Sequence, residues 1–269
     1  MRIPFLVLAA LATLATASLS AHDFWLAASN WSPAAAAPVT ITAGIGEHFP
    51  TRTEFKSRPD WFDVWRVIGA SGEVPVTREF HQHEQTMATE VTLPSAGAFL
   101  GVMRVTPRTI EMKGPEFTDY LKEEGLDGVI AARQAAGEAD KPAKELYARY
   151  AKLAIRNGSG GAAHLTRAVG LKAEFVPMTD PTSIRPGGTL TVQLLAEGKP
   201  VSGAAITAAA EGTSVKGQTD AEGRVTLHID GEGAWLVKTV HMVRLPKTGT
   251  AAADWESYWV TLAFHTAQH

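Results

Sequence analysis

The stretch "TLTVQLLAEGKPVSGAAITAAAEGTSVKGQTDAEGRVTLHIDGEGAWLVKTVHMVRL", Thr189–Leu245, decides the fold class. Short runs of alternating apolar residues are broken by glycine-bearing turns. Thr189–Leu195 reads as a strand, Glu197–Pro200 as a turn and Ala204–Ala209 as the next strand. Thr219–Gly223 ("TDAEG") reads as a hairpin turn with Gly223 in the left-handed position, where a side chain would be strained. The period of two places one face of each strand in a core, and many short strands joined by turns describe a β-sandwich.

The same rhythm runs through the first part of the chain. Val39–Ala43 is rich in β-formers, Gly44–Pro50 ("GIGEHFP") is a glycine-punctuated loop, and Phe62–Ile68 is a strand closed by the turn Ser71-Gly72-Glu73. Glu90–Leu93 and Ala98–Val105 form a strand pair around Ser95-Ala96-Gly97. The character changes at Gly114. From Pro115 to Arg156 alanine, lysine, glutamate and arginine dominate at helical spacing, broken at Gly125 and Gly137–Pro142 into two or three helices. Pro142 suits the first turn of the last one, where no backbone donor is needed. Asn157–Gly161 is a flexible linker. The expected architecture is mainly β: a sandwich over 22–112, a helical segment and linker over 113–168, and a second sandwich over 169–269. Strands within 115–156, or one continuous sheet, would contradict it.

Composition narrows the chemistry. A net charge of −3 over 269 residues offers no electrostatic draw to nucleic acid. Cysteine is absent, which removes thiol nucleophiles and thiolate metal sites and leaves histidine, carboxylate or backbone nitrogen as ligands. Gly44-x-Gly46 lacks the third glycine of a dinucleotide loop, and no serine nucleophile elbow is visible. Residues 1–21 carry one arginine, an apolar run from Ile3 to Ala17 and small residues, the pattern of a secretory signal peptide. The expected location is periplasmic or secreted, with a mature form that is not membrane-embedded.

Cleavage after Ala21 would leave His22 first, offering an α-amine and an imidazole to one metal ion. A cut after Ala17 fits the small-residue rule better, and a cut after Ser20 would place His22 second. His241, in "WLVKTVHMVR", shares a strand face with Trp235, Val237 and Val243, and is either a core histidine or the second ligand of a three-nitrogen histidine brace. His48 stands beside Glu47 in the glycine-punctuated loop and could add a nitrogen or leave the carboxylate to do so. His81 and His83 ("HQH") project from one face if they lie on a strand, in a wholly polar segment that is otherwise a solvated edge. Asp254 and Glu256 in "DWESYW" could be an acid–base pair or part of an aromatic edge cap.

Residues 189–245 resemble the peptidase-regulatory-like sandwich, of transthyretin-like or immunoglobulin-like build. More specifically, "AHDFWL", "GEHFP", "FTDYLKEEGLDGVIAARQAAGE", "RYAKLAIRNG", "TDAEGRVTL", "WLVKTVHMVR" and "DWESYWVTLAF" together resemble a bacterial exported family of unknown function. That family is commonly labelled as the periplasmic component of cobalt or nickel uptake. The resemblance implies a transition-metal ion as cofactor, nickel or cobalt by its label, and His22, His241 and His48 as candidate ligands, while the nitrogen donors of a histidine brace put copper foremost. It favours the cut before His22 and implies a membrane metal transporter as partner. The rival readings are a copper monooxygenase using the same brace, and a metal-free structural or adhesive sandwich protein.

Overall fold

The computed structural model describes residues 22–53, 61–77, 79–247 and 253–267, so the expected signal peptide and His269 lie outside the described residues. Among the described residues, seventeen strands and two α-helices follow in order. The first half holds β1 (Asp23–Ala28), β2 (Pro38–His48), β3 (Thr51–Thr53), β4 (Phe62–Gly69), β5 (Gly72–Val74), β6 (His81–His83), β7 (Thr86–Thr92) and β8 (Gly97–Met112). Helices α1 (Gly114–Glu123) and α2 (Asp127–Ala135) come next, then β9 (Ala143–Asn157) and β10 (Ala173–Pro177). The chain closes with β11 (Gly188–Ala196), β12 (Lys199–Pro200), β13 (Ala205–Ala210), β14 (Thr213–Gln218), β15 (Arg224–Ile229), β16 (Ala234–Arg244) and β17 (Trp255–His265).

These strands build three sheets. A central sheet of eight runs β14-β13-β16-β17-β9-β8-β4-β5. A five-stranded sheet, β1-β2-β7-β6 with β3 on β2, packs on one face of it, and a four-stranded sheet of β10, β11, β12 and β15 packs on the other. All pairings are antiparallel except β17 with β9. The protein is therefore mainly β and sandwich-built, as the alternation predicts, but the separate sandwiches expected over 22–112 and 169–269 are corrected: strands from both ranges join in the one central sheet, which the two outer sheets share.

Strand parity explains the sharing. On β16, Trp235 and Val237 enter the core against the four-stranded sheet, while Leu236 enters the core against the five-stranded one. On β17, Tyr258, Val260, Leu262 and Phe264 take the first side and Ala263 the second. Strands buried on both faces read as near-continuous apolar runs, and "WLV" and "WVTLAF" are such runs. Each fully buried leucine or phenylalanine here contributes about 1.5–3 kcal/mol relative to exposure. Beside the five-stranded sheet, α1 and α2 cover Val240, Met242, Trp255 and Trp259 with Phe117, Tyr120, Leu121 and Val129.

Two further expectations need correction. The helical segment ends at Ala135, and residues 143–157 are the central strand β9. "AKELYARYAKLAIRN" is made of good helix formers, but two flanking strands, β8 and β17, supply its partners and both its faces are buried, so tertiary pairing overrides local propensity. Pro142 precedes this strand rather than opening a helix. The second correction concerns connections. β7 and β8 flank the turn at Ser95–Gly97 but belong to different sheets, and Thr219–Gly223 links β14 to β15 across the sandwich rather than closing a hairpin. Its turn chemistry is as expected: Gly223 has φ +71°, and Asp220 accepts from the Arg224 backbone at 2.7 Å.

Among the described residues no helix is long and apolar enough to cross a membrane.

Candidate metal site

β1 enters the protein at His22. Its partner β2 places Gly46 opposite Asp23, which brings Glu47 alongside His22. The His22 Nε2 and the Glu47 Oε1 stand 3.7 Å apart, with the imidazole about a quarter exposed. The "GIGEH" loop expected from sequence is instead the end of β2. Gly46 is required there because a Cβ would lie 2.2 Å from the Thr51 carbonyl oxygen and 2.8 Å from the Trp25 ring. That close approach holds the tip of β2 against β1.

Behind His22 lies a layer of charge. The Arg149 Nη2 donates to the His22 carbonyl at 3.3 Å, and the Arg149 guanidinium rests over the Tyr147 and Trp259 rings at 5.0 and 5.6 Å. Asp23, only 4% exposed, accepts from the Lys238 ammonium at 2.5 Å. Burial raises the Asp23 carboxyl above its ordinary range, and the Lys238 charge opposes it only in part. Burial, reinforced by the Asp23 charge, pushes Glu124 at the end of α1 up to about 8. Deeper still, Glu145 accepts from the Tyr120 hydroxyl at 3.1 Å and from Ser257, and burial raises it too. Sequence reading missed Arg149 and Glu145 because they sat in a presumed helix. Lys238 and Glu124 carried no local signal at all.

His48, exposed at the end of β2, lines a cleft of about 460 Å³ with Asp23, Glu47, Lys238 and the β13–β14 hairpin at Thr207–Ser214. His22, Glu47 and His48 therefore gather at one end of the β1–β2 pair.

His241 is elsewhere. It lies three residues beyond Lys238 on β16, so the two side chains leave opposite faces of the central sheet, roughly 10 Å apart along the strand. The His241 ring packs 6.0 Å from Tyr258 and lines a groove of about 280 Å³ with Gly125, Gly128 and residues 201–205. Burial alone holds its pKa below the usual 6.5. The structure thus separates His241 from His22 by the thickness of a sheet and does not assemble a brace from that pair. A sequence alternation argument finds the apolar face of His241 correctly, but cannot say which core that face meets.

Of the remaining candidates, His81 and His83 are exposed on β6 at the far edge of the five-stranded sheet. Asp254 accepts from the Lys144 backbone at 2.9 Å, and Glu256 pairs with Lys172 at 2.7 Å, so both carboxylates serve structure rather than an acid–base pair. His228 pairs with Asp230 at 2.8 Å, and His265 packs on Trp31.

Among the described residues no three histidine, cysteine, aspartate or glutamate side chains close on one point. His22 and Glu47 make a two-donor start, and an α-amine at residue 22 would be the third donor, nitrogen-rich and suited to Cu(II) or Ni(II).

Residues 19–243 match the family described as "Domain of unknown function (DUF4198)". The chain belongs to that family. No curated protein matches it. Among solved structures it is similar to the D0-D1 domain of intimin, at 13% identity over 91% of this chain and 98% of that one, with a TM-score of 0.24. A Ca2+-stabilised adhesin with which an Antarctic bacterium binds ice matches at 12% identity over 92% of this chain and 49% of that one, TM-score 0.25. A DUF4785 family protein of Legionella pneumophila matches at 8% over 79% and 51%, TM-score 0.27. Likenesses this loose carry no argument about this DUF4198 chain, whose β-sandwich character rests on its own sheets.

Proposed function

We propose that the chain is an exported, periplasmic protein that binds one transition-metal ion, copper foremost with nickel or cobalt as alternatives, and handles it rather than turning over a substrate. The ligands in this reading are the α-amine and imidazole of a mature chain beginning at His22, the Glu47 carboxylate and His48. The observation that carries it is the approach of His22 and Glu47 to 3.7 Å beside the cleft that His48 lines. Further support comes from the signal-like residues 1–21 and from the resemblance to a family labelled for cobalt or nickel uptake, which also suggests a membrane metal transporter as partner.

Each residue has a separate task. Arg149 donates to the His22 carbonyl and so fastens the backbone of the residue that faces Glu47. Lys238 neutralises Asp23, which keeps the next residue buried and anchors the start of β1. The metal itself would supply a Lewis-acidic, redox-capable centre at the protein surface. His241 takes no part.

The intact mass of protein recovered from the periplasm tests the N-terminus, and Cu(II) titration tests the site. A mass corresponding to His22 at the start, with high-affinity binding lost in His22→Ala and retained in His241→Ala, is expected. A chain beginning at Ser18, or a His22→Ala protein that binds as tightly as the wild type, overturns the reading. Ascorbate-driven peroxide formation by the copper-loaded protein would turn it toward the monooxygenase.

A further inference from the structure

His81 and His83 belong to none of the arrangements above. Among the described residues β6 is the edge of its sheet, paired only with β7. All three residues of β6 are exposed, so its fastening comes from its neighbours and from hydrogen bonds. Phe80 turns inward, its ring 5.0 Å from Phe62 and 5.3 Å from Trp65. Gln82 is tied down as well, donating to the carbonyls of Glu84 and Thr86 at 2.9 and 3.1 Å. The Thr86 hydroxyl donates to the His83 carbonyl at 2.9 Å. Glu79, His81 and His83 therefore share the outward side of a backbone that is held from within. The residues across the ladder from the two histidines are Ala88 and Thr86, both too short to cover them.

We propose that His81 and His83 form a second metal site, an exposed two-imidazole chelate for Cu(II) or Ni(II). Alternate residues of a strand lie about 7 Å apart on one face, a spacing two imidazoles close by leaning together until each nitrogen stands about 2 Å from one ion. Neutral nitrogen donors select late first-row metals over Ca²⁺ and Mg²⁺. Glu79, whose Oε2 lies 3.8 Å from the His81 Nε2, is in reach as an outer partner that orients the ring. Water completes the coordination. Such an open site exchanges its ion readily, which suits capture from solution rather than retention. It does not depend on where the mature chain begins, and so stands apart from the His22 reading.

Calorimetric titration of the exported full-length protein with CuCl2, and separately NiCl2, at about neutral pH tests it. The His81→Ala/His83→Ala protein should lose one equivalent of metal relative to wild type while the metal-free melting temperature stays the same, because both side chains are exposed. His22→Ala should keep that equivalent. Each single variant should weaken it roughly tenfold or more, as expected for loss of a chelating partner. An unchanged stoichiometry in the double variant, or a single variant that binds as wild type, overturns the proposal. If one equivalent in total is found and only the double variant removes it, this site stands and the His22 site falls.

Discussion

Two buried ion pairs sit on opposite sides of the central sheet and differ in how completely they are closed. Lys152 on β9 and Glu174 on β10 are 1% and 3% exposed and 2.6 Å apart. Lys152 also donates to the Phe175 carbonyl, and Glu174 accepts from the Val169 and Gly170 backbone. Asp23 and Lys238 are equally close, but Lys238 is about a quarter exposed and both line a cleft with Glu47 and His48. The first pair ties two sheets together and has nothing left to offer a ligand. The second anchors the strand that presents His22, and its neighbours Glu124 and Arg149 are ionisable groups kept largely from water. Closure marks architecture, and incomplete closure leaves polar groups within reach of solvent.

The comparison predicts a ranking. Lys152→Ala leaves a carboxylate sealed in the core and should cost about 3–5 kcal/mol in urea unfolding, whereas Lys152→Met with Glu174→Leu should recover most of that loss. If the double variant is as unstable as the single one, the pair is not the closed structural element described. Lys238→Met should cost less, about 1–3 kcal/mol, because Asp23 can take up a proton once its cation is gone. The cost should therefore shrink on acidification, which unfolding at neutral pH and near pH 5 would show.

Glu124 gives the pH signature of the open side. Its folded pKa of about 8 lies above the unfolded 4.5, so the folded state binds more protons between those values. Its contribution is full below about 4.5, is lost as pH rises, and is gone above about 8. The groups facing it are Asp23, Lys238, Glu123 and Glu145. Glu124→Gln should flatten this slope and make the protein more stable than wild type above pH 8, on the order of 1–3 kcal/mol. A slope that survives the substitution assigns it to another group. The smallest effect is at the rim. Glu47→Gln should change stability by less than about 1 kcal/mol, since the pair with His22 is exposed, yet weaken Cu(II) binding in the same titration. Equal binding would remove Glu47 from the ligand set.

How much was legible follows residue by residue. The alternation of Thr189–Leu195 and Phe62–Ile68 appears as β11 and β4, and Gly125 and Gly137, both at positive φ, end α1 and α2 as helix breakers should. β9 was not legible. Its alanines, lysines, leucines and arginines favour a helix, and only a strand slot between β8 and β17, with Glu174 waiting for Lys152, turns the segment extended. For the site, His22, His48 and Glu47 were visible as residue types that bind metals. The partner of His22 was not, because pairing a strand to its neighbour is a long-range event.

By itself the sequence determined parity and punctuation: which side chains share a strand face, where glycine must turn the chain, and which donors exist in a chain without cysteine. These are local, set by the two-residue period and by backbone sterics. The tertiary structure alone decided which core each face meets. Because β16 is apolar on both sides, its pattern cannot tell Lys238 on the β1 side from His241 on the other, and only the packing of one sheet on each face separates those two residues by the thickness of the central sheet.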